Sequence, residues 1–204
     1  MSDQTTYDPY KTADQNEWED MYGIYDQLFR EEADGSVVPN LVTEYSFSDD
    51  GTELTMGIRD DVTFHNGEPL TVDDVVFSLN TAIASSFTTK FTSVMDHAEK
   101  VDDSTVKLVL KHAYSPILGC LVSACTSIVP RAVYEADPDS FTASPIGSGP
   151  YMVSEIVKGE RYVYEAYPDY WRGEAPIKTV VARVIPDGNA ALMALESGEL
   201  DVMQ

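Results

Sequence analysis

Apolar residues first recur at helical spacing near the start of the chain. The stripe consists of Trp18, Met21, Tyr22, Tyr25, Leu28 and Phe29. Steps of three and one residues place such side chains on one face of a helix. Asp14 with Glu17 matches a capping box at its start, and so does Asn16 with Glu19. The pattern therefore predicts a helix over about 17–28.

A second stripe follows Thr71. It comprises Val72, Val75, Val76, Leu79 and Ile83. Thr71 occupies the N-cap position, where a side-chain oxygen can accept a hydrogen bond from a free backbone N–H. Asp73 and Asp74 fall in the first turn, where carboxylates favour the positive end of the helix dipole. A helix over about 72–84 is predicted.

Alternation of apolar and polar residues predicts strands elsewhere. They cover 53–59, 106–110, 151–157, 160–166 and 177–185. The last of these is rich in Val and Ile, which is typical of a buried strand. Short helices are predicted over 117–128 and over 189–197, the latter followed by Gly198 at its C′ position. Helices mixed with strands that are joined by hairpin-like connections predict a mixed α/β fold with α+β character.

Composition and charge narrow the classes of function. The chain has 204 residues, 43% of them apolar, which is enough to bury a substantial core. Thirteen basic residues against thirty-five acidic ones give a net charge of −22, which repels phosphate backbones and anionic membranes. Nucleic-acid binding is therefore disfavoured. No apolar run approaches the roughly 20 residues of a membrane helix, and we expect that any secretion signal has been left out or removed.

Residues that commonly bind metals or act as nucleophiles are sparse. His65, His97 and His112 lack metal-ligand spacing, so we expect ordinary solvated or capping roles. Cys120 and Cys125 are too few for a disulfide framework or a zinc site. In a helix they would lie beyond bridging distance, so small buried thiols are expected, and their redox state stays open. The sequence indicates neither a cofactor nor a metal site.

Two further patterns have simple structural explanations. The Gly-Ser-Gly at 147–149 places its glycines next to the serine, whereas a nucleophile elbow needs them two positions away. A tight turn is expected there, because prolines flank it. Adjacent acids such as Asp73 and Asp74 lie at turns or helix starts, where they cap and solubilise. The aromatic residues between Tyr162 and Trp171 are interpreted as packing rather than as a ligand platform.

Eight segments, taken in chain order, resemble one protein family. They are 7–9 (YDP), 24–28 (IYDQL), 38–41 (VPNL), 48–51 (SDDG), 58–79 (IRDDVTFHNGEPLTVDDVVFSL), 147–151 (GSGPY), 169–173 (DYWRG) and 194–201 (ALESGELD). The Phe-His-x-Gly turn leading into the capped Asp-Asp-Val helix is the most specific piece. By this resemblance the chain is identified as a family 5 extracellular solute-binding protein of ABC importers. That family includes dipeptide-, oligopeptide- and nickel-binding proteins, and the resemblance covers essentially the whole chain.

The resemblance implies a particular architecture. It implies the first lobe of a type II periplasmic-binding-protein-like fold, with the second lobe absent. Within that lobe, residues 1–28 and 128–204 are expected to form an incomplete hinge-bearing domain. Residues 29–127 are expected to form a smaller inserted domain.

The resemblance also implies how the protein works. A solute of peptide type would be held in a cleft between this lobe and the missing one, without any catalytic step. The ligand-binding residues it implies are Ala13, Asp14, Gln15, Asn16, Phe87, Phe91 and Gln204. Asp14 and Asn16 fit equally well as helix N-cap residues, and Phe87 fits ordinary packing. The isolated lobe is expected to bind solute weakly or not at all.

The partner implied by the family is an ABC permease in the membrane, served by a monomeric binding protein outside the cytoplasm. That location is periplasmic or extracellular, either free or tethered by a lipid. Two alternatives remain open. One is an extracellular ligand-sensing module on the same fold. The other is an acid-dependent extracellular hydrolase, which would need a carboxylate with a perturbed pKa in the cleft. The identity of the solute stays open.

Overall fold

The computed structural model describes residues 4–203 as a mixture of helices and strands. The helices are α1 (Gln15–Ile24), α2 (Val72–Ala84), α3 (Thr89–Thr92), α4 (Ile117–Cys120), α5 (Arg131–Ala136) and α6 (Gly188–Ser197). The strands are β1 (Phe29–Glu31), β2 (Val37–Pro39), β3 (Val42–Phe47), β4 (Glu53–Ile58), β5 (Met95–Lys100), β6 (Thr105–Leu110), β7 (Tyr151–Val157), β8 (Arg161–Ala166) and β9 (Thr179–Arg183). The predicted mixed α/β class is confirmed. Across residues 4–203, each helix is too short or too polar to span a bilayer.

The first core lies against a four-stranded antiparallel sheet with the strand order β3-β4-β6-β5. Along β4 and β6 buried residues alternate with partly exposed ones, so one face of the sheet is sealed and the other meets solvent. Helix α2 contributes Val75 and Leu79 to the same buried cluster as Leu54 and Leu108 of the sheet. The strands predicted at 53–59 and 106–110 are thus confirmed to within a residue at each end.

Helix α2 starts at the predicted N-cap residue. Thr71 Oγ1 accepts a hydrogen bond from the Asp74 N–H at 3.4 Å, and Asp74 Oδ2 accepts one from the Thr71 N–H at 2.9 Å. The other carboxylate oxygen, Asp74 Oδ1, accepts from the Arg131 N–H at 2.8 Å. The start of α2 is therefore fixed both to its own cap and to the first residue of α5.

The second core lies between α1 and a three-stranded antiparallel sheet with the strand order β7-β8-β9. Helix α1 contributes Trp18, Met21 and Ile24 to it. Strand β8 contributes Tyr162 and Tyr164, which are buried. The interpretation as packing is confirmed for Tyr162 and Tyr164, whereas Tyr170 and Trp171 are only partly buried.

Helix α1 is shorter than the periodic stripe predicts. It ends at Ile24, because Tyr25 turns extended and the Gly149 N–H donates to the Ile24 carbonyl at 2.9 Å. That carbonyl would otherwise accept from the next helical turn. Leu28 and Phe29 therefore leave the helix and are buried in the first core. The prediction that they continue the helix is wrong.

Two other predicted elements differ from the structure. The strand at 177–185 is shorter, as β9, and lies exposed at the edge of its sheet, with Val181 50% exposed. The prediction of a buried strand is wrong because, among the described residues, β9 pairs with β8 alone and most of its side chains remain exposed. The helix at 117–128 is interrupted, giving α4 and then a 3₁₀ turn at Ala124–Thr126. Cys125 is buried there, whereas Cys120 is only partly buried, and both thiols are free.

The 147–149 loop joins the two cores. A Cβ atom on Gly147 would lie 2.0 Å from the Ile24 carbonyl oxygen, and one on Gly149 would lie 2.6 Å from the Ile24 carbonyl carbon. Real Cβ atoms do not approach so closely, so the loop needs glycine at both positions. Ile146, just before the loop, packs against both cores.

Asp26 anchors the same junction. Its carboxylate accepts hydrogen bonds from Asn40 Nδ2 at 3.0 Å, Trp171 Nε1 at 3.0 Å, Ser148 Oγ at 3.2 Å and the Tyr170 hydroxyl at 3.3 Å. Burial raises the pKa of Asp26 despite these four donors, each of which acts to lower it. One side chain therefore holds three other segments of the chain together at one point, around Asn40, around Ser148 and at Tyr170 with Trp171.

Candidate ligand-binding surface

A buried aspartate holds the turn that leads into α1. Asp8 Oδ1 accepts from the Tyr10 N–H at 3.0 Å, and Asp8 Oδ2 accepts from the Tyr134 hydroxyl at 2.8 Å. Lys11 Nζ lies 3.2 Å from the same Oδ2 atom. Because a buried carboxylate requires such partners, this turn has one preferred arrangement, and the chain enters α1 in a defined direction.

The start of α1 is exposed. Asp14 is its N-cap, accepting from the Asn16 N–H at 2.9 Å, while the Asp14 N–H donates to Thr12 Oγ1 at 3.0 Å. Glu17 does not complete a capping box, because it is buried and its Oε1 accepts from the Thr5 N–H at 2.9 Å. The four residues implied by the family resemblance are all exposed: Ala13, Asp14, Gln15 and Asn16.

A pair of aromatic rings brings the aromatic segment after α2 against the first turns of α1. The rings of Trp18 and Phe91 meet edge to face, with their centroids 5.4 Å apart. Phe91 is partly buried in the second core, whereas Phe87 stands 53% exposed beside α3. A second contact is a hydrogen bond that Ser85 Oγ donates to the Tyr10 carbonyl oxygen at 2.6 Å. The two predicted parts of the site are therefore neighbours in space.

We call this face of the second core the candidate surface. Its members are Ala13, Asp14, Gln15, Asn16, Trp18, Phe87 and Phe91. Gln204, the remaining residue implied by the resemblance, lies outside the described residues. Whether any of these residues binds a ligand stays a prediction.

Trp18 is the member that sequence reasoning missed. The helical stripe identified it only as core, and it is indeed buried. Its indole Nε1 has no hydrogen-bond acceptor among residues 4–203, although buried N–H groups are nearly always paired. The sequence feature that could have placed Trp18 at the candidate surface is its position, four residues beyond the N-cap of α1.

Two carboxylates have the perturbed pKa that the hydrolase alternative requires. Burial raises the pKa of both Asp20 and Asp26. Asp20 lines a groove of about 330 Å³ between α1 and β9, and Asp26 lines a cavity of about 480 Å³ beside β1. Each is already hydrogen-bonded, Asp20 by Gln4 Nε2 at 2.6 Å and by the Tyr164 hydroxyl at 2.9 Å. Neither wall contains a described histidine, serine or cysteine, and neither includes the candidate surface.

Metal and thiol chemistry has little support in the described part of the chain. Residues 4–203 contain no group of three or more His, Cys, Asp and Glu side chains arranged to hold a metal ion. Burial raises the pKa of the Cys125 thiol to about 11, and its Sγ donates to Ser123 Oγ at 3.4 Å. Cys125 is therefore protonated at neutral pH, and a protonated thiol is a weak nucleophile.

Comparison with known proteins identifies the family. The model of the family described as "Bacterial extracellular solute-binding proteins, family 5 Middle" matches residues 36–204. The chain belongs to this family. The prediction made from its motifs is confirmed.

Individual proteins of known name resemble the chain over most of its length. Protein XP55 of Streptomyces lividans is 32% identical over 185 residues, which cover 87% of this chain and 33% of XP55. The nickel-binding periplasmic protein of Escherichia coli K12 is 28% identical over 193 residues, covering 88% and 35%. The solved structure of the oligopeptide-binding protein AppA of Bacillus subtilis, in complex with a nonapeptide, superposes with a TM-score of 0.88 at 26% identity. It covers 98% of this chain and 41% of AppA.

The chain thus spans about a third of the length of these curated relatives and about two fifths of the solved structure. This coverage agrees with one lobe of the family's fold.

Proposed function

We propose that the protein captures a solute of peptide type for an ABC importer and catalyses no reaction. In this proposal the candidate surface is one wall of a cleft, and a second lobe supplies the other wall. The family supports solute capture. The superposition on a relative whose structure holds a nonapeptide supports peptide as the solute class.

One observation carries the proposal, namely the contact between Trp18 and Phe91. It brings the exposed N-terminal turn of α1 next to the segment that contains the exposed ring of Phe87. A peptide needs both kinds of surface, because polar groups pair with its backbone while apolar surface covers its side chains. A wall with exposed polar side chains and one exposed aromatic ring suits such a ligand.

We further propose the domain arrangement implied by the resemblance, with 29–127 inserted between 1–28 and 128–204. The composition of the two cores supports it. With the exception of Leu28 and Ile128, the buried residues of the first core come from the inserted segment. The second core takes most of its buried residues from the flanking segments, together with Ala82, Ala124 and Cys125. Cleft closure would then move this lobe as a body against the second lobe.

The setting that we propose is that of an importer component. The protein would act as a monomer outside the cytoplasmic membrane, free or tethered by a lipid, and would deliver solute to an ABC permease. A relative named as periplasmic supports the location. A signalling module on the same fold would bind the same class of solute, and the presence of permease and ATPase genes beside its own would favour import.

Calorimetry tests the proposal on a protein that carries both lobes. Titration with a nonapeptide, a dipeptide and NiCl₂ should show tight binding of at least one peptide. Phe87→Ala should weaken that binding about tenfold, which corresponds to about 1.4 kcal/mol. The chain of residues 1–204 alone should bind far more weakly, because it offers only one wall.

Phe47→Ala provides the matched control. Phe47 is 43% exposed on β3, compared with 53% for Phe87, and it lies outside the candidate surface. Its replacement should leave peptide affinity unchanged. Equal effects of the two substitutions would contradict the proposed site, and binding of NiCl₂ but of neither peptide would contradict the proposed solute.

A further inference from the structure

His65 connects the first core to the 147–149 loop through both of its ring nitrogens. The Gly147 N–H donates to His65 Nδ1 at 3.2 Å, and His65 Nε2 lies 3.0 Å from the Gly149 carbonyl oxygen. The backbone N–H of His65 also donates to the Gly147 carbonyl oxygen at 2.8 Å. The expectation of an ordinary solvated or capping role for His65 is therefore wrong.

These partners determine the form of the imidazole. Nδ1 accepts from a backbone N–H and so carries no proton, and Nε2 then carries the proton that it donates to the Gly149 carbonyl. The ring is neutral in this arrangement. A second proton would have to be placed on Nδ1, where it would point at the Gly147 N–H and turn an attractive contact into one between two donors.

Each side of the contact belongs to a different core. His65 follows Phe64, which is buried in the first core. The 147–149 loop is held against the end of α1 in the second core, since the Gly149 N–H donates to the Ile24 carbonyl and neither glycine leaves space for a Cβ atom there. The loop is therefore in direct contact with both His65 and the last residue of α1.

We propose that His65 and the 147–149 loop form an acid-sensitive latch that couples the first core to the second. The latch is closed while the imidazole is neutral. Protonation breaks the hydrogen bond from Gly147 and loosens the loop from the turn that carries His65. This property is independent of the proposed solute capture.

The titratable groups around the latch are Tyr167, Glu68 and Asp26. Tyr167 packs edge to face on the imidazole, with ring centroids 5.1 Å apart, and its hydroxyl donates to the Phe64 carbonyl. Glu68, on the same turn as His65, is exposed and accepts from Asn66. Asp26 stands behind the loop and is reached through Ser148 Oγ. Burial lowers the pKa of His65 from 6.5 to about 4, and its bond to Gly149 opposes this only in part.

The direction of the pH effect follows from this lowered pKa. The unfolded chain takes up a proton on His65 below about pH 6.5, whereas the folded chain does so only near pH 4. The stability due to neutral His65 is thus complete above pH 6.5 and is lost as the pH falls towards 4. The displacement from 6.5 to about 4 corresponds to about 300-fold in the unfolding equilibrium constant. Asp26, whose pKa is raised, contributes in the opposite sense, so a measurement at the level of single residues is required.

Nuclear magnetic resonance of the chain between pH 7 and pH 3.5 tests the latch without any substitution. The ¹⁵N shifts of His65 should show a neutral ring with its proton on Nε2 at pH 7, titrating near pH 4. The Gly147 amide resonance should move with the same midpoint, and its hydrogen exchange should accelerate more than that of Leu108 in the first core. The proposal would be overturned if His65 titrated near pH 6.5. It would also be overturned if the Gly147 amide resonance did not shift as His65 titrates.

Two substitutions sharpen the test. His65→Asn offers an oxygen near the position of Nδ1 that still accepts from Gly147 but does not titrate. Its unfolding equilibrium constant should therefore depend much less on pH between 6.5 and 4 than that of the unsubstituted chain, in which His65 contributes roughly 80-fold over this interval. His97→Asn is the control, because His97 is exposed on β5 and its Nδ1 contacts Asp96 instead. An acid response that is the same in His65→Asn as in the unsubstituted chain would also overturn the latch.

Discussion

The two cores of the protein are built from different chemistry. The first is largely aliphatic, with Leu54, Val75, Leu79 and Leu108 packed between α2 and its sheet. The second contains a group of buried tyrosines, namely Tyr7, Tyr10, Tyr25, Tyr134, Tyr162 and Tyr164. An aliphatic core depends on filled volume. A core of phenols depends in addition on an acceptor or donor for every hydroxyl.

The hydroxyl groups of the second core find partners far away along the chain. The Tyr10 hydroxyl donates to the Ser127 carbonyl at 2.7 Å, and the Tyr25 hydroxyl donates to the Tyr7 carbonyl at 2.9 Å. Burial raises the pKa of both phenols, so each stays protonated as a donor. We therefore expect the first core to tolerate exchange of one apolar side chain for another of similar volume, whereas the second core depends on particular hydrogen-bonded pairs.

The largest effect is expected from a cavity in the first core. Leu54 is fully buried on β4, between β3 and β6. Leu54→Ala should lower the free energy of unfolding by about 3–5 kcal/mol, because it removes buried methyl groups and leaves a void. Urea unfolding followed by circular dichroism measures this. Leu192→Ala on α6, where Leu192 is 45% exposed, is the control and should change little; a loss below 1 kcal/mol for Leu54→Ala would mean that this core repacks freely.

A somewhat smaller effect is expected where the cores meet. Gly147→Ala places a Cβ atom 2.0 Å from the Ile24 carbonyl oxygen, so the loop must shift. We expect a loss of about 2–3 kcal/mol, as for other overpacked sites. Thermal unfolding checks it against Gly119→Ala in α4, where the added Cβ meets no described atom within 4 Å. Equal stability of the two variants would show that the junction is more adaptable than either core.

Loss of one hydroxyl from the second core should cost less. Tyr10→Phe keeps the ring and leaves the Ser127 carbonyl without this donor. The expected loss is about 1–2 kcal/mol, the usual cost of an unpaired buried polar group. Tyr45→Phe on β3 is the matched control, because Tyr45 is 41% exposed. If Tyr10→Phe and Tyr45→Phe unfolded at the same urea concentration, the second core would depend on the packing of its rings alone and not on their hydroxyl groups.

The smallest effect is expected on the open side of the second core. Val181 is 50% exposed on β9. Val181→Thr should therefore change the free energy of unfolding by less than about 0.5 kcal/mol. A larger loss in the same urea experiment would reveal that this part of β9 is covered in solution.

The parts that could be predicted from sequence are those with local causes. Helix α2 follows from Thr71 and its stripe, and β4 and β6 follow from alternation. Strands β3 and β5 were not predicted, because only one residue of β3 and two of β5 are buried, so neither shows an alternating pattern. The residue at which α1 ends could not be predicted either, since it depends on a hydrogen bond from Gly149, which is far along the chain.

The candidate site also has one feature with a local cause and others that depend on residues far away along the chain. The N-cap role of Asp14 could be inferred locally. The contact between Trp18 and Phe91 joins residues 73 positions apart, and the hydrogen-bond partners of His65 lie in a loop more than 80 positions away. Such features come from tertiary packing, and neither helical nor strand periodicity carries information about them.

The open edge of β9 has a practical consequence for handling the chain. A net charge of −22 keeps copies apart in dilute buffer, where charges interact over about 10 Å at 0.1 M salt. At 1 M salt this range shrinks to about 3 Å, and the edge of β9 that pairs with no described strand is then free to pair with the same edge of another copy. Concentrated stocks should therefore remain clear at low ionic strength and turn cloudy as salt is added.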